Sequence, residues 1–196
     1  AAFTSDQIRS FTTDQVAALN ERQFAALSND QLTMLSTAQV GAIETNDLVA
    51  LSASQWAALT TDQVQALSTA QVASLETLDL AGLTTEQVAA FETDQLAALG
   101  TQHFAALRTD QLGALSTTQI AALETESLTV LGTAQLQALS DDQLEALTSG
   151  QLQALSTTQV AGFSSDQIGA LSAGQLSTLT TAQFNALTST QIGALT

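Results

Sequence analysis

The strongest constraint on this chain is an eight-residue repeat that runs from Ala1 to the C-terminal residues without one insertion or deletion. Twenty-four octads, with the consensus x-Ala-Leu-(Ser/Thr)-Thr-x-Gln-(Val/Leu/Ile), precede a final Gly-Ala-Leu-Thr. We number the positions of an octad one to eight, so that Ala1 occupies position one. A fixed short period indicates a repeat architecture, in which each unit buries its apolar face only against neighbouring units. We therefore predict one continuous repeat array over residues 1–196.

Four of the eight positions are nearly constant. Position three holds only Leu, Phe or Ile, and position eight holds only Val, Leu, Ile, Phe or Trp. Trp56 and all seven Phe residues fall in these two positions, so we predict that they form the core. Position two is nearly always small, which permits close approach of neighbouring coils. Position seven is Gln except at Asp47, Asp79, His103 and Ser127, whereas positions one, four and six vary and are predicted to face water.

The residue types predict a short helix in each octad. One continuous helix does not fit the repeat. Eight residues at about 100° each exceed two turns by about 80°, so the apolar residues would spiral around the helix axis. Thr or Ser at positions four and five, acidic residues at position six and Gln at position seven are typical of a capped helix start. We predict an all-α solenoid with one helix of about 1.5 turns per octad, from position six to position three, followed by a tight corner.

Two structural alternatives stay open at this level. Glu occupies position four at residues 44, 76, 92 and 124, which are separated by multiples of sixteen and suggest pairing of octads into 16-residue hairpins. A β-solenoid would stack the Gln and Thr columns as hydrogen-bonded ladders. The apolar positions are five and then three residues apart, which alternates poorly along a strand, and glycine is scarce for corners, so the helix is favoured.

No residue constellation indicates catalysis. His103 replaces a position-seven Gln and has no second His or Cys beside it, so we interpret it as a substitute for the amide. We interpret the pairs Glu44/Asp47 and Glu76/Asp79, like the looser pair Glu124/Glu126, as charged helix starts, because Ca²⁺ requires six to eight oxygen ligands. No phosphate-binding loop or nucleophile motif occurs. We expect no enzymatic activity, no cofactor and no metal site.

We expect the position-seven Gln to play a structural role. Short helices leave backbone N–H and carbonyl groups without partners, and a polar side chain among apolar neighbours can supply them. We predict that each amide hydrogen-bonds to corner groups of a neighbouring coil.

Charge and hydropathy restrict the partners. The chain contains three Arg residues, no Lys and 19 acidic residues, which gives a formal net charge of −16. Binding to nucleic acids requires clustered basic residues instead. No apolar run is long enough to span a bilayer, so we expect neither nucleic-acid binding nor membrane insertion.

Two resemblances add to this interpretation. Residues 59–67, Leu-Thr-Thr-Asp-Gln-Val-Gln-Ala-Leu, resemble the first short helix of transcription activator-like effector repeats, with the pattern Leu-Thr-Pro-Glu-Gln-Val-x-Ala-Ile. The second helix, the base-reading loop and the basic residues of that family are missing, so DNA binding is not implied. The whole chain resembles the tandem Leu-(Ser/Thr)-Thr-x-Gln-(Val/Ile)-x-Ala runs of very long bacterial surface proteins, often labelled adhesin-like or haem-utilisation-like. No haem-ligating pair is present.

The second resemblance implies a structural protein of the cell surface. We expect a stiff extracellular rod or filament, either a fibre subunit or an adhesin stalk. Both ends keep the consensus, so we expect the array to continue in the same chain or to associate end to end with identical copies. The alternative function is a binding array for ice or glycans that uses regularly spaced Thr side chains.

Overall fold

The computed structural model describes residues 3–195 of the chain. Within this range each octad forms one α-helix of five or six residues, and no β-strand is present. The predicted all-α fold with one short helix per repeat is therefore confirmed, and the β-solenoid is wrong. No helix in these residues combines the length and the apolar character needed to cross a bilayer.

Backbone contacts divide the chain into two compact units, one ending at Leu99 and the other beginning at Gly100. The helices of the first unit are α1 (Ser5–Arg9), α2 (Thr13–Ala17), α3 (Glu21–Ala25), α4 (Asn29–Thr33), α5 (Thr37–Gly41), α6 (Thr45–Val49), α7 (Ala53–Ala58), α8 (Thr61–Gln65), α9 (Thr69–Ala73), α10 (Thr77–Gly82), α11 (Thr85–Ala89) and α12 (Thr93–Ala98). The helices of the second unit are α13 (Thr101–Ala106), α14 (Thr109–Gly113), α15 (Thr117–Ala122), α16 (Thr125–Thr129), α17 (Thr133–Gln137), α18 (Asp141–Glu145), α19 (Ser149–Ala154), α20 (Thr157–Ala161), α21 (Ser165–Ala170), α22 (Ala173–Thr178), α23 (Thr181–Asn185) and α24 (Ser189–Gly193).

Most helices start at a side-chain cap provided by Ser, Thr or Asn at position four. In α8, Thr60 has an extended backbone (φ −73°, ψ 160°), and its Oγ1 accepts a hydrogen bond from the Gln63 N–H at 3.2 Å. The Gln63 Oε1 in turn accepts the Thr60 N–H at 2.9 Å, which completes the predicted capping box. The helix begins at position five, one residue earlier than predicted, because position four alone supplies the cap.

Each helix ends in a tightened turn. The Leu67 N–H at position three donates to the Val64 carbonyl at 3.2 Å, a three-residue spacing in place of the four-residue spacing of an α-helix. Positions three and four then form the corner, as at Leu59 (φ −59°, ψ 143°) and Thr60. Since no described residue has a positive φ, the corner accepts any L-residue, which explains why glycine can be scarce.

Stacking of coils buries positions three and eight. In the first unit every helix from α1 to α9 packs against the third helix after it, and the second unit uses the same pairing. Adjacent helices do not pack in this way, so the two-octad hairpin is not the packing unit. Isolated helices of five residues are unstable in water, and the neighbouring coil supplies the burial that each one lacks.

Small residues at position two bring the coils together. A Cβ placed on Gly82 would lie 2.8 Å from the Cβ of Ala53, which belongs to the preceding coil. At Gly162 a Cβ would lie 2.5 Å from the Cγ2 of Thr133, which stands in the same relation to it. The predicted close approach at position two is therefore confirmed.

Candidate functional site: the glutamine seam

The polar feature that joins coil to coil is a column of position-seven side chains, which we call the glutamine seam. The seam comprises the Gln residues whose Nε2 donates to carbonyls of the preceding coil. In the first unit, Gln63 donates to the carbonyls of Leu32 and Leu35, both at 2.8 Å, which lie 31 and 28 residues earlier. In the second unit, Gln143 donates to Leu112 at 3.2 Å and to Leu115 at 2.6 Å with the same spacing.

Each seam side chain therefore serves two helix ends at once. Its Oε1 binds the cap N–H of its own helix, and its Nε2 binds carbonyls at the end of a helix in the preceding coil. These are the backbone groups that a short helix leaves without partners. Gln63 is 2% exposed, so water cannot replace these bonds at its amide. The predicted bridging role of the amide is confirmed. Because the amide binds carbonyls 28 and 31 residues earlier, one coil contains between three and four octads.

The seam is open at both ends of the described range. Gln7, Gln15 and Gln23 are exposed, because the described residues before them provide no preceding coil whose carbonyls they could reach. At the other end Phe184 and Ile192 are 44% and 45% exposed, whereas position eight is almost completely buried in the interior coils. The two end faces thus present different groups, amide donors on one and apolar side chains with corner carbonyls on the other.

His103 replaces the amide as an acceptor. Its Nδ1 accepts the Gly100 N–H at 2.9 Å, the bond that a Gln Oε1 makes elsewhere, and the residue is 3% exposed. Ser127 is 5% exposed, and the helix that it belongs to has no capping bond at Glu124. The structure therefore places His103 in a capping role, as predicted.

The two Glu-Thr-x-Asp pairs differ from each other. Asp79 accepts the Glu76 N–H at 3.2 Å; burial raises the pKa of Asp79, and this hydrogen bond partly opposes the shift. At the other pair the helix start has no side-chain cap, and Asp47 is 5% exposed. Burial raises the pKa of Asp47, and the nearby charges of Glu44 and Glu21 add to the effect. The helix-start interpretation thus accounts for Asp79, whereas at Asp47 the helix start lacks a side-chain cap.

Exposed acidic residues at position six interact with the helix start. The Glu86 backbone N–H, with the hydroxyls of Thr84 and Thr85, lowers the pKa of the Glu86 carboxyl. The pKa of Glu126 is lowered by its own backbone N–H and by the Thr125 hydroxyl. This is the effect expected where negative charge lies in the first turn of a helix.

Basic residues balance little of the negative charge of the chain. Arg108 and Asp110 form an ion pair, with the Arg108 Nε 3.1 Å from the Asp110 Oδ1. Both side chains are largely exposed, so the pair contributes little to stability.

Trp56 is the largest fully buried side chain in the part of the chain that the structure describes. Trp56 is fully buried, as predicted for a core residue, and its Nε1 has no hydrogen-bond partner there. No group of three or more His, Asp or Glu side chains in that part is placed to hold a metal ion.

Comparison with known proteins identifies the repeat. The family model of the ALTTAQ repeat matches residues 1–29, 40–77, 72–109, 88–125, 120–157, 142–173, 149–181 and 170–196. No curated protein matches the sequence.

Proposed function

Because the chain belongs to the ALTTAQ repeat family, we propose that it is a structural protein, a stiff extracellular rod or filament built from stacked coils. The observation that carries the proposal is the glutamine seam. Within each unit, coils are joined by buried amide donors that reach back 28 and 31 residues, as at Gln63 and Gln143. A stack of identical contacts resists bending and can be extended without a change in geometry.

The two end faces support continuation of the stack. Gln7, Gln15 and Gln23 are exposed, with the amide oxygen of each bound to its own helix cap. The face that contains Phe184 and Ile192 presents the apolar side chains that a following coil would cover. Such a contact is heterologous, because different surfaces meet, and it does not close into a dimer. The next coil can come from the same chain or from a second copy.

Charge supports growth along the stack rather than sideways. The formal net charge is −16, and Asp47 and Asp79 are the only acidic residues among the buried side chains of residues 3–195. The remaining carboxylates face solvent and repel neighbouring stacks, most strongly at low salt. We propose that this charge keeps rods separate while their ends associate.

The extracellular location rests on composition and resemblance. The chain lacks Lys and Cys and is rich in Thr and Ser, and its repeats resemble those of long bacterial surface proteins. We propose that the array separates an attachment point from a more distant domain or forms the shaft of a fibre.

Assembly of the 196-residue chain tests the proposal. Sedimentation velocity over a concentration series, with electron microscopy, should give thin unbranched oligomers of increasing length. Phe184→Asp places a charge on the exposed end face and should abolish the oligomers. Leu78→Asp is the matched control, because Leu78 is 76% exposed at position six and the change leaves the end faces intact.

Three results would contradict the proposal. A chain that stays monomeric at high concentration would refute end-to-end stacking. Equal loss of assembly in both variants would show that the added charge acts without regard to the end faces. Thermal hysteresis or selective binding on a glycan array would favour the alternative function as a binding array.

A further inference from the structure

The first three position-seven glutamines carry unused hydrogen-bond donors. The Oε1 atoms of Gln7, Gln15 and Gln23 accept the N–H groups of their own helix caps at 2.8–2.9 Å. Their Nε2 groups donate to no described residue, whereas Gln31 is the first whose Nε2 reaches back, to the Phe3 carbonyl. One end face of the described range therefore presents three amide donors, each one octad from the next.

The opposite face carries matching acceptors. The last seam amide, Gln191, donates to the Phe163 carbonyl at 2.7 Å, 28 residues earlier. The position-three carbonyls of Leu171, Leu179 and Leu187, which follow Phe163, receive no hydrogen bond from a described residue. Donors and acceptors have the same one-octad spacing, so a second copy can continue the seam.

The apolar side chains of this face require the same cover. Phe184 and Ile192 are 44% and 45% exposed, whereas Val64 in an interior coil is fully buried. Within a unit, the third helix after a given helix packs against it. A second copy that begins with α1 supplies such helices, so its contacts repeat the interface that already joins coils in one chain.

Overlap between the chains excludes one of two registers. The octad phase is kept if the second copy begins at place 193 or at place 201 of a continued array. In the earlier register Phe3 of the second copy would need the place that Leu195 of the first copy fills, since both are position three of one octad. In the later register the chains do not overlap. Gln7 then takes place 207, and Leu179 lies 28 places before it.

We propose that the second copy docks in this later register, with the Gln7 amide on the Leu179 carbonyl and the Gln15 amide on the Leu187 carbonyl. The proposal rests on the end-to-end stacking proposed above and names its register. The α1 helix of the second copy packs on α23, and its α2 helix packs on α24. Places 197–200 stay empty at the junction, so the Leu171 carbonyl keeps no amide partner there.

The surface of interior coils provides a reference for testing the register. At position one, Gln137 donates to the carbonyl of Gly162, which is 25 residues later at position two, at 2.7 Å. A Cβ placed on Gly169 lies 3.7 Å from the Cβ of Ala194, which is also 25 residues later. This distance is within the range of about 3.5–4.5 Å that a disulfide requires.

Paired cysteines distinguish the registers, because the chain has no cysteine of its own. In the proposed register Ser10 of the next copy takes place 210, which is 25 places after Asn185. Asn185→Cys with Ser10→Cys should therefore give a ladder of covalent oligomers on a non-reducing gel after incubation with oxidised glutathione. Asn185→Cys with Ala18→Cys is matched to the earlier register and should give no ladder. All three residues are exposed, and Gly169→Cys with Ala194→Cys should close a disulfide within one chain as the reference.

The amide itself is tested by Gln15→Glu. Glutamate keeps an oxygen for the Thr12 N–H, which Gln15 accepts at 2.9 Å, but it lacks the donor that the Leu187 carbonyl requires. Oligomers should be lost in sedimentation velocity while the helical circular-dichroism signal is retained. Thr13→Glu adds the same charge at exposed position five of the same helix and should keep the oligomers.

Four outcomes would overturn the inference. A ladder from the pair that contains Ala18→Cys would establish the earlier register, and the stacking itself would stand. Oligomers that neither pair cross-links, although the reference pair closes, would place the junction elsewhere. Equal assembly of Gln15→Glu and Thr13→Glu would show that no amide crosses the junction. If the unmodified chain forms no oligomers, the proposed stacking fails and the register fails with it.

Discussion

Replacing Gln63 with Leu removes one complete link of the seam. The Leu35 carbonyl loses its donor at 2.8 Å, and the Thr60 N–H loses its acceptor at 2.9 Å. The Leu32 carbonyl keeps a second bond from the Leu35 N–H at 3.2 Å. The substitution therefore leaves two backbone groups without their protein partners.

The size of the effect follows from the burial of these groups. A buried polar group without a partner costs about 1–3 kcal/mol, and each net hydrogen bond contributes about 1 kcal/mol. Leu35 is 4% exposed, so water cannot easily reach its carbonyl, whereas Thr60 is exposed and its N–H can be hydrated. We expect Gln63→Leu to lower the free energy of unfolding by about 2–4 kcal/mol.

The control is the same substitution two residues later. Gln65 lies on the same helix at exposed position one, where only its backbone carbonyl takes part in the seam. Gln65→Leu should change the free energy of unfolding by less than about 0.5 kcal/mol. Urea unfolding followed by the helical circular-dichroism signal compares the two variants. Equal effects would refute the argument, since the amide at position seven would then be dispensable.

Three further predictions follow from the local geometry. Gly82→Ala should destabilise the chain, because the added Cβ would lie 2.8 Å from the preceding coil. Gly150→Ala should stabilise its helix by about 0.5–1 kcal/mol, because the added Cβ has open space around it. Urea unfolding measures both effects. Thr60→Ala should cost about 1 kcal/mol through loss of the cap bond to the Gln63 N–H, and Thr61→Ala, one residue further along, should cost little in the same assay. Since burial raises the pKa of Asp79, the folded chain binds this proton more tightly than the unfolded chain, so its stability relative to Asp79→Gln should rise as the pH falls from about 7 to about 4. An unchanged difference between these two proteins across that range would show that Asp79 does not titrate as described.

The core positions and the helix cap of one octad could be predicted from its sequence. The restriction of positions three and eight to large apolar residues predicted the core, and Thr60 with Gln63 illustrates how the capping box could be identified from spacing alone. These features depend on contacts within a few residues, where sequence spacing sets the geometry. The helix limits were displaced by one or two residues because position four caps and position three turns the corner.

The relation between coils could not be predicted. Nothing within an octad determines how many octads complete a coil. Only the structure shows that Gln63 binds a carbonyl 28 residues earlier and that each helix packs against the third helix after it. The spacing of the four Glu residues at position four suggested a hairpin, which is not formed. Sequence reasoning also missed Glu21 as a neighbour of Asp47, because their separation along the chain has meaning only when the coil size is known.

The seam amide of Gln63 joins its own helix start to the preceding coil. A nuclear Overhauser measurement on protein with labelled Gln side chains tests it directly, because these effects report protons that lie close in space. We expect the Gln63 side-chain amide protons to show contacts with Leu32 and Leu35, which lie 31 and 28 residues earlier. Contacts from these protons only to adjacent octads, or to none, would contradict it.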